Sequence, residues 1–280
     1  MLSNAYDMVE LLRNNIGEVS PSNWTKVNTL RMLNQAYTEL LRRFSMSAGQ
    51  WLVKSQSVSC VNSVINFPDD CMKPVYLEDS DGSPVTWINS IGQRRVSRTF
   101  GVGSDISHTR EAYVLRNSIE INEDSLTDTM TLWYQQKAYE LHAGEASASA
   151  AGSLTLEASL AHSVRNDHYN GAEIEVVEGS NPGVYTVTDY VGSTRVLTVT
   201  PATDPGTSNY GIIPITPSEC NDYIVLRATI LAMSKPGANL DDKVFAMFVN
   251  DFKLVRQELM AWIDTRVIEN QGISIGEPYL

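Results

Sequence analysis

Cysteine is scarce in this sequence and poorly placed for chemistry. Cys60, Cys71 and Cys220 are an odd number, far apart, with no C-x-x-C pair, which argues against a disulfide framework or a zinc ribbon. The four histidines, His108, His142, His162 and His168, do not cluster with them in sequence. Free thiols in a chain made in a reducing cytoplasm are expected. Long hydrophobic runs are also missing. The longest, such as Phe245–Val249, fall far short of the roughly 20 residues of a membrane helix. The opening Met1-Leu2-Ser3-Asn4-Ala5-Tyr6-Asp7 lacks the basic and apolar regions of a signal peptide. The sequence therefore reads as a soluble chain with no membrane partner. Positive charge is short: 21 Lys and Arg stand against 33 Asp and Glu, a net −12. That excludes a protein gripping nucleic acid through a basic face, but suits a surface that DNA slides past without sticking.

Catalytic signatures are absent too. Gly101-Val102-Gly103-Ser104 has neither the third glycine nor the strand–helix frame of a dinucleotide loop. There is no G-x-S-x-G elbow, Walker loop or H-E-x-x-H. Asp79-Ser80-Asp81-Gly82 resembles half a calcium loop, but no glutamate follows in register, and a hairpin turn is expected there. The chain reads as a non-enzyme with no cofactor and no metal site.

What is present is helix at both ends and strand between. Two helices fill the first ~45 residues: Tyr6, Val9 and Leu12 make one stripe, and Val27, Leu30, Leu33, Tyr37, Leu40 and Phe44 a second at steps of three and four. Short strands follow at Ser55–Cys60, Val64–Phe67, Val75–Leu77, Val85–Ile88, Tyr113–Leu115, Ser118–Ile121 and Thr129–Tyr134. Gly144–Ser153 is rich in small residues and reads as a linker or loop. From Leu154 to Ile213 the pattern is purely β, with turn residues at Asn181-Pro182-Gly183 and Val191-Gly192-Ser193, as in a small sandwich or barrel. Thr216-Pro217-Ser218-Glu219 predicts a capping box opening a third helix to about Ser234. A fourth runs from about Asp241 to Ile268 with Phe245, Phe248, Phe252, Val255, Leu259 and Trp262 along one seam.

This order of pieces resembles the head-to-tail connector (adaptor) family of tailed phages. The residues that carry the resemblance are the helix Leu30–Leu40, the hairpin ending Phe67-Pro68-Asp69-Asp70, the strand ending Trp133-Tyr134, and the helix beginning Cys220-Asn221-Asp222-Tyr223-Ile224 with the long helix after it. The stretch Tyr169–Val199 is similar to a β module recurring in phage virion proteins. The resemblance implies an α+β fold: an antiparallel helix bundle formed from both chain ends, central β hairpins, and an inserted all-β sandwich or barrel. Residues 1–139 and 213–280 would form the adaptor core, and 140–212 the inserted domain.

The function it implies is mechanical. Copies would form a ring, twelve-fold in the family, between the portal protein above and the next tail or nozzle protein below, around a channel for DNA. The chain would be a virion protein made in the host cytoplasm. A second reading is a receptor- or glycan-binding tail component that uses the inserted β module. Candidate partner-binding residues are the basic cluster Arg94, Arg95 and Arg98, for which a solvated loop is the commoner explanation, and Trp262, since tryptophan is favoured at interface centres. Ile273, Ile275, Tyr279 and Leu280, in a C-terminal stretch that is either a docking arm or a frayed end, complete the set.

Overall fold

The computed structural model describes residues 4–17, 24–46, 52–88, 110–160, 162–235 and 241–271. The chain divides into two compact units, one comprising Gln50–Lys137 and the other Met1–Gly49 with Ala138–Leu280.

The 50–137 unit holds seven strands: β1 (Val53–Val61), β2 (Val64–Asn66), β3 (Cys71–Glu78), β4 (Thr86–Trp87), β5 (Glu111–Leu115), β6 (Ser118–Ile121) and β7 (Asp128–Gln136). They form one sheet in the order β3-β7-β1-β2-β6-β5-β4. Alternating residues give β1, β6 and β7 one apolar face. Val58, Cys60, Ile65, Cys71, Leu77, Ala112, Ile119, Ile121, Met130, Leu132 and Tyr134 pack there as one core. Asn62 and Ser63 turn β1 into β2 with φ of 49° and 66°, the left-handed pair that a tight hairpin requires. The buried Ser63 hydroxyl accepts the Leu126 N–H (2.9 Å) and donates to the Glu123 carbonyl. The sheet's two outermost strands meet again: Glu78 bridges Pro84, and Val85 N–H bonds Leu77 O (2.9 Å). The sheet thus nearly closes on itself. Asp79–Gly82 is the turn that joins this closure, with Asp79 Oδ1 accepting the Asp81 and Ser83 N–H groups. The expected pairing of Val75–Leu77 with Val85–Ile88 shrinks to that bridge, because β4 pairs in parallel with β5 and β3 pairs with β7.

The other unit combines a second seven-stranded sheet with all four α-helices among the described residues. The helices are α1 (Ala5–Asn15), α2 (Lys26–Met46), α3 (Asn221–Met233) and α4 (Asp242–Gln271). The strands are β8 (Ala143–Glu145), β9 (Ala148–Ala150), β10 (Ser153–Thr155), β11 (Glu173–Val176), β12 (Gly183–Val191), β13 (Val196–Thr200) and β14 (Asn209–Ile212), in the order β8-β14-β11-β12-β13-β10-β9. The outermost strands β8 and β9 are joined by only Ala146 and Ser147, so this sheet also curls towards closure. Its core is rich in tyrosine: Tyr139, Tyr169, Tyr185, Tyr190 and Tyr210 pack with Leu154, Leu156, Ile174, Val176, Val187, Leu197, Val199 and Ile212.

The expected architecture is overturned. Fourteen strands in two nearly closed sheets dominate the described residues, and the helices do not form an antiparallel bundle from the two chain ends. The cause is where the helices bury their apolar faces. α1 lies partly on β14 and β8 rather than only on other helices. Its N-cap Asn4 accepts the Tyr6 and Asp7 N–H groups and donates to Glu175 Oε2 on β11 (2.7 Å). α2 is tied to the strand-bearing segments by Lys26–Glu157 (3.1 Å), by Asn34, whose amide both donates to and accepts from the Leu141 backbone, and by Tyr37, whose hydroxyl accepts the Ile215 N–H. Only α3 is surrounded by helices, with α1, α2 and α4 around it.

Two local expectations fail as well. Gly144–Ser153 is not a linker: it supplies β8, β9 and the start of β10. Small residues suit it because a side chain at 144 would strike Glu157 and Leu160. The capping box does not form. Pro217 stands at the N-cap of a 3₁₀ turn, Ser218–Cys220, without a side-chain cap bond, and Thr216 is buried instead.

Candidate interaction surfaces

α4 is the most one-sided element of the chain. Its thirty residues span about 45 Å at 1.5 Å per residue, and among the described elements it packs chiefly on α3. The covered side carries Phe248, Leu259 and Ile263, with Phe245, Phe252 and Val255 half-buried, much as the seam of apolar residues predicts. Phe252 holds the contact, tilted against Tyr223 at 5.0 Å and lying under the Arg227 guanidinium at 5.8 Å. Arg227 also makes a two-pronged ion pair with Glu39 of α2, Nε to Oε2 2.7 Å and Nη2 to Oε1 3.0 Å. That pair holds the Glu39 carboxyl below its ordinary range and raises the guanidinium further. One arginine thus locks three helices.

Much of the remaining surface of α4 up to Ile263 is exposed. Met247 and Leu254 keep 50% and 59% of their surface in solvent, and Lys243, Asp251, Lys253, Arg256, Gln257 and Glu258 are exposed beside them. Trp262, the expected interface tryptophan, stands on this helix and is half-buried. Arg94, Arg95, Arg98, Ile273, Ile275, Tyr279 and Leu280 lie outside the described residues.

A second exposed surface was not anticipated from the sequence. Tyr76 of β3 and Trp133 of β7 face each other across the ladder and remain 36% and 39% exposed. Strand alternation could have found them: Trp133 lies between the buried Leu132 and Tyr134, so it must point to the opposite face. Tyr134 itself points inwards, and its hydroxyl lies 2.7 Å from Asp70 Oδ1 and 2.9 Å from Gln56 Oε1.

Reactive chemistry is poorly served among the described residues. Burial pushes the Cys71 thiol up to about 11 and that of Cys220 to about 12, and raises Cys60 as well, the opposite of an activated nucleophile. No group of three or more His, Cys, Asp and Glu among the described residues is placed to hold a metal ion. Arg110 gathers Asp79, Glu123 and Asp128 at 3.5, 3.3 and 2.8 Å, an ion-pair network that fastens the ends of three loops. The buried Tyr210 hydroxyl accepts the Glu157 N–H (3.0 Å) and is hydrogen-bonded to His142 Nδ1 (3.0 Å), and desolvation raises its pKa. A cleft of about 220 Å³ runs along α2 beside Glu140–His142. Its amide, Asn34, is wholly engaged by the Leu141 backbone. No helix of the described residues is long and apolar enough to cross a membrane. Neither a protein-family model nor a curated protein matches the chain.

Proposed function

We propose that this chain is a structural head-to-tail adaptor of a tailed phage, which forms a ring with copies of itself between the portal and the next tail component and surrounds a channel for DNA. The observation that carries the reading is α4: a helix about 45 Å long, covered by α3 on one side and, up to Ile263, exposed over much of the other, with Met247 and Leu254 in solvent. A lone helix of this kind gains most of its stability from packing, and an element left so uncovered is suited to neighbours in an assembly. The order of elements, two helices, hairpins, a second β region and two further helices, keeps the sequence of pieces on which the resemblance rests. The net charge of −12 suits a wall past which DNA must move.

A ligand-binding tail component is the competing reading. Exposed aromatics on the second β region would favour it, but Tyr169, Tyr185, Tyr190 and Tyr210 are all buried in its core. The test is negative-stain microscopy of the purified chain, alone and mixed with the portal protein encoded by the same genome. Rings, alone or capping the portal, are expected. Monomers that leave the portal bare would overturn the proposal.

A further inference from the structure

From Met247 to Leu259 the exposed charges of α4 are sorted around its axis. At about 100° per residue, Met247 and Leu254 fall within about 20° of each other, with Asp251 and Glu258 beside them within a further ~60°. All four are exposed. Lys253 and Arg256, also exposed, lie on a second line about 140° further round the helix. Between the two lines, on the side away from α3, are the neutral, exposed Asn250 and Gln257. Over this stretch the helix has an apolar–acidic flank, a neutral polar back and a basic flank, with the fourth side on α3; in the first turn the signs are exchanged, the exposed Lys243 falling beside the first line and the exposed Asp242 on the second.

We infer that the apolar–acidic flank of α4 docks against the basic flank of α4 in a second copy of this chain, the helices running parallel and in register. The inference rests on the adaptor reading and names its self-contact. Charge complementarity identifies the occupant. Lys253 and Arg256 stand at the same heights along the axis as Asp251, Leu254 and Glu258, so a neighbour related by pure rotation brings opposite charges level. The long aliphatic stems of lysine and arginine would cover Leu254, while their heads reach the carboxylates. An antiparallel neighbour would lose this matching of heights. Because the two flanks differ, each contact leaves one flank of each kind open, and the association continues from copy to copy until a ring closes. Asn250 and Gln257 would then face its interior.

The test uses two charge-reversal variants of the full chain, Lys253→Glu/Arg256→Glu and Asp251→Lys/Glu258→Lys, studied by light scattering on a sizing column and by microscopy, with and without portal. Circular dichroism checks folding, which surface changes should leave intact. Each variant alone is expected to assemble at least about tenfold more weakly than the parent, the loss carried by contacts that 0.5 M salt also weakens. Mixing the two variants is expected to restore assembly, since each supplies the flank that the other lacks. Assembly of both single variants at parental strength overturns the α4 contact and leaves the adaptor reading standing. A parent chain that stays monomeric, with portal present or absent, overturns both.

Discussion

Gly211→Ala is the sharpest probe of how α1 is seated. Gly211 lies in β14, paired with Ala143 of β8 and Glu175 of β11, directly beneath the first turn of α1. A methyl group there would stand 2.5 Å from the Tyr6 nitrogen, 2.6 Å from Asn4 Oδ1 and 3.0 Å from the Ala5 nitrogen. None of these can swing aside, because they are the helix backbone and its cap. Relief to ordinary contact requires α1 to withdraw by about 1 Å. That movement strains the 2.7 Å bond from Asn4 to Glu175 and disturbs the packing of Ala5 and Met8, both fully buried. Overpacking of a tight core costs about 1–3 kcal/mol, and a weakened cap adds about 1 kcal/mol. The expected loss is therefore about 2–4 kcal/mol, or roughly 5–12 °C in the melting temperature of a unit this large. Urea titration of the full chain, followed by circular dichroism, measures it. The change should be less than additive with Asn4→Ala, which removes one of the three clashing atoms. A variant within about 0.5 kcal/mol of the parent would show that α1 is not held against β14.

Glu39→Gln breaks the two-pronged pair with Arg227 and should cost about 0.5–1 kcal/mol, kept small because both side chains are near a third exposed and screened. Since Arg227 depresses the Glu39 pKa from its ordinary 4.5, the contribution is present above that value and lost as pH falls through the folded-state pKa. The stability gap between parent and variant, measured by urea titration, should thus be full at pH 7 and close in acid; a gap independent of pH would refute the ion pair. Tyr210→Phe leaves the partly buried Glu157 N–H without this acceptor and removes the contact with His142 Nδ1, at an expected cost of about 1–2 kcal/mol. A melting temperature unchanged by that substitution would mean that the network carries no net stability.

Helix existence was legible because a stripe such as Leu30, Leu33, Tyr37, Leu40 and Phe44 is a local signal, and all five residues are buried. The strands β11, β12 and β13 were equally legible from turn residues at short spacing. What covers each helix was not, since the stripe on α1 does not say whether a helix or β14 will lie against it. The contact there depends on Gly211, some two hundred residues away in sequence. The stretch Gly144–Ser153 misled for a related reason. Small residues mark a flexible linker when nothing packs on them, but here they let Glu157 and Leu160 approach the strand closely. At Thr216 a local motif was present, yet burial of its side chain overrode the cap. The interaction surface was partly readable: the seam of α4 was visible in the spacing, and the sorting of its charges was there as well, but their exposure depends on α3 covering only one side.

The near closure of both sheets bears on how such a chain survives at high concentration. Fourteen strands amount to many invitations to intermolecular pairing, and an open sheet offers two bare rims to any passing chain. Here the outermost strands are stitched to each other, β8 to β9 through two residues and β3 towards β4 through the Glu78–Pro84 bridge. β3, the longer of the pair at that second seam, also carries Pro74 and two breaks in register, which spoil it as a template for amyloid-like growth. Among the described residues these outer strands are therefore poorer templates for backbone pairing than the rims of two open sheets would be.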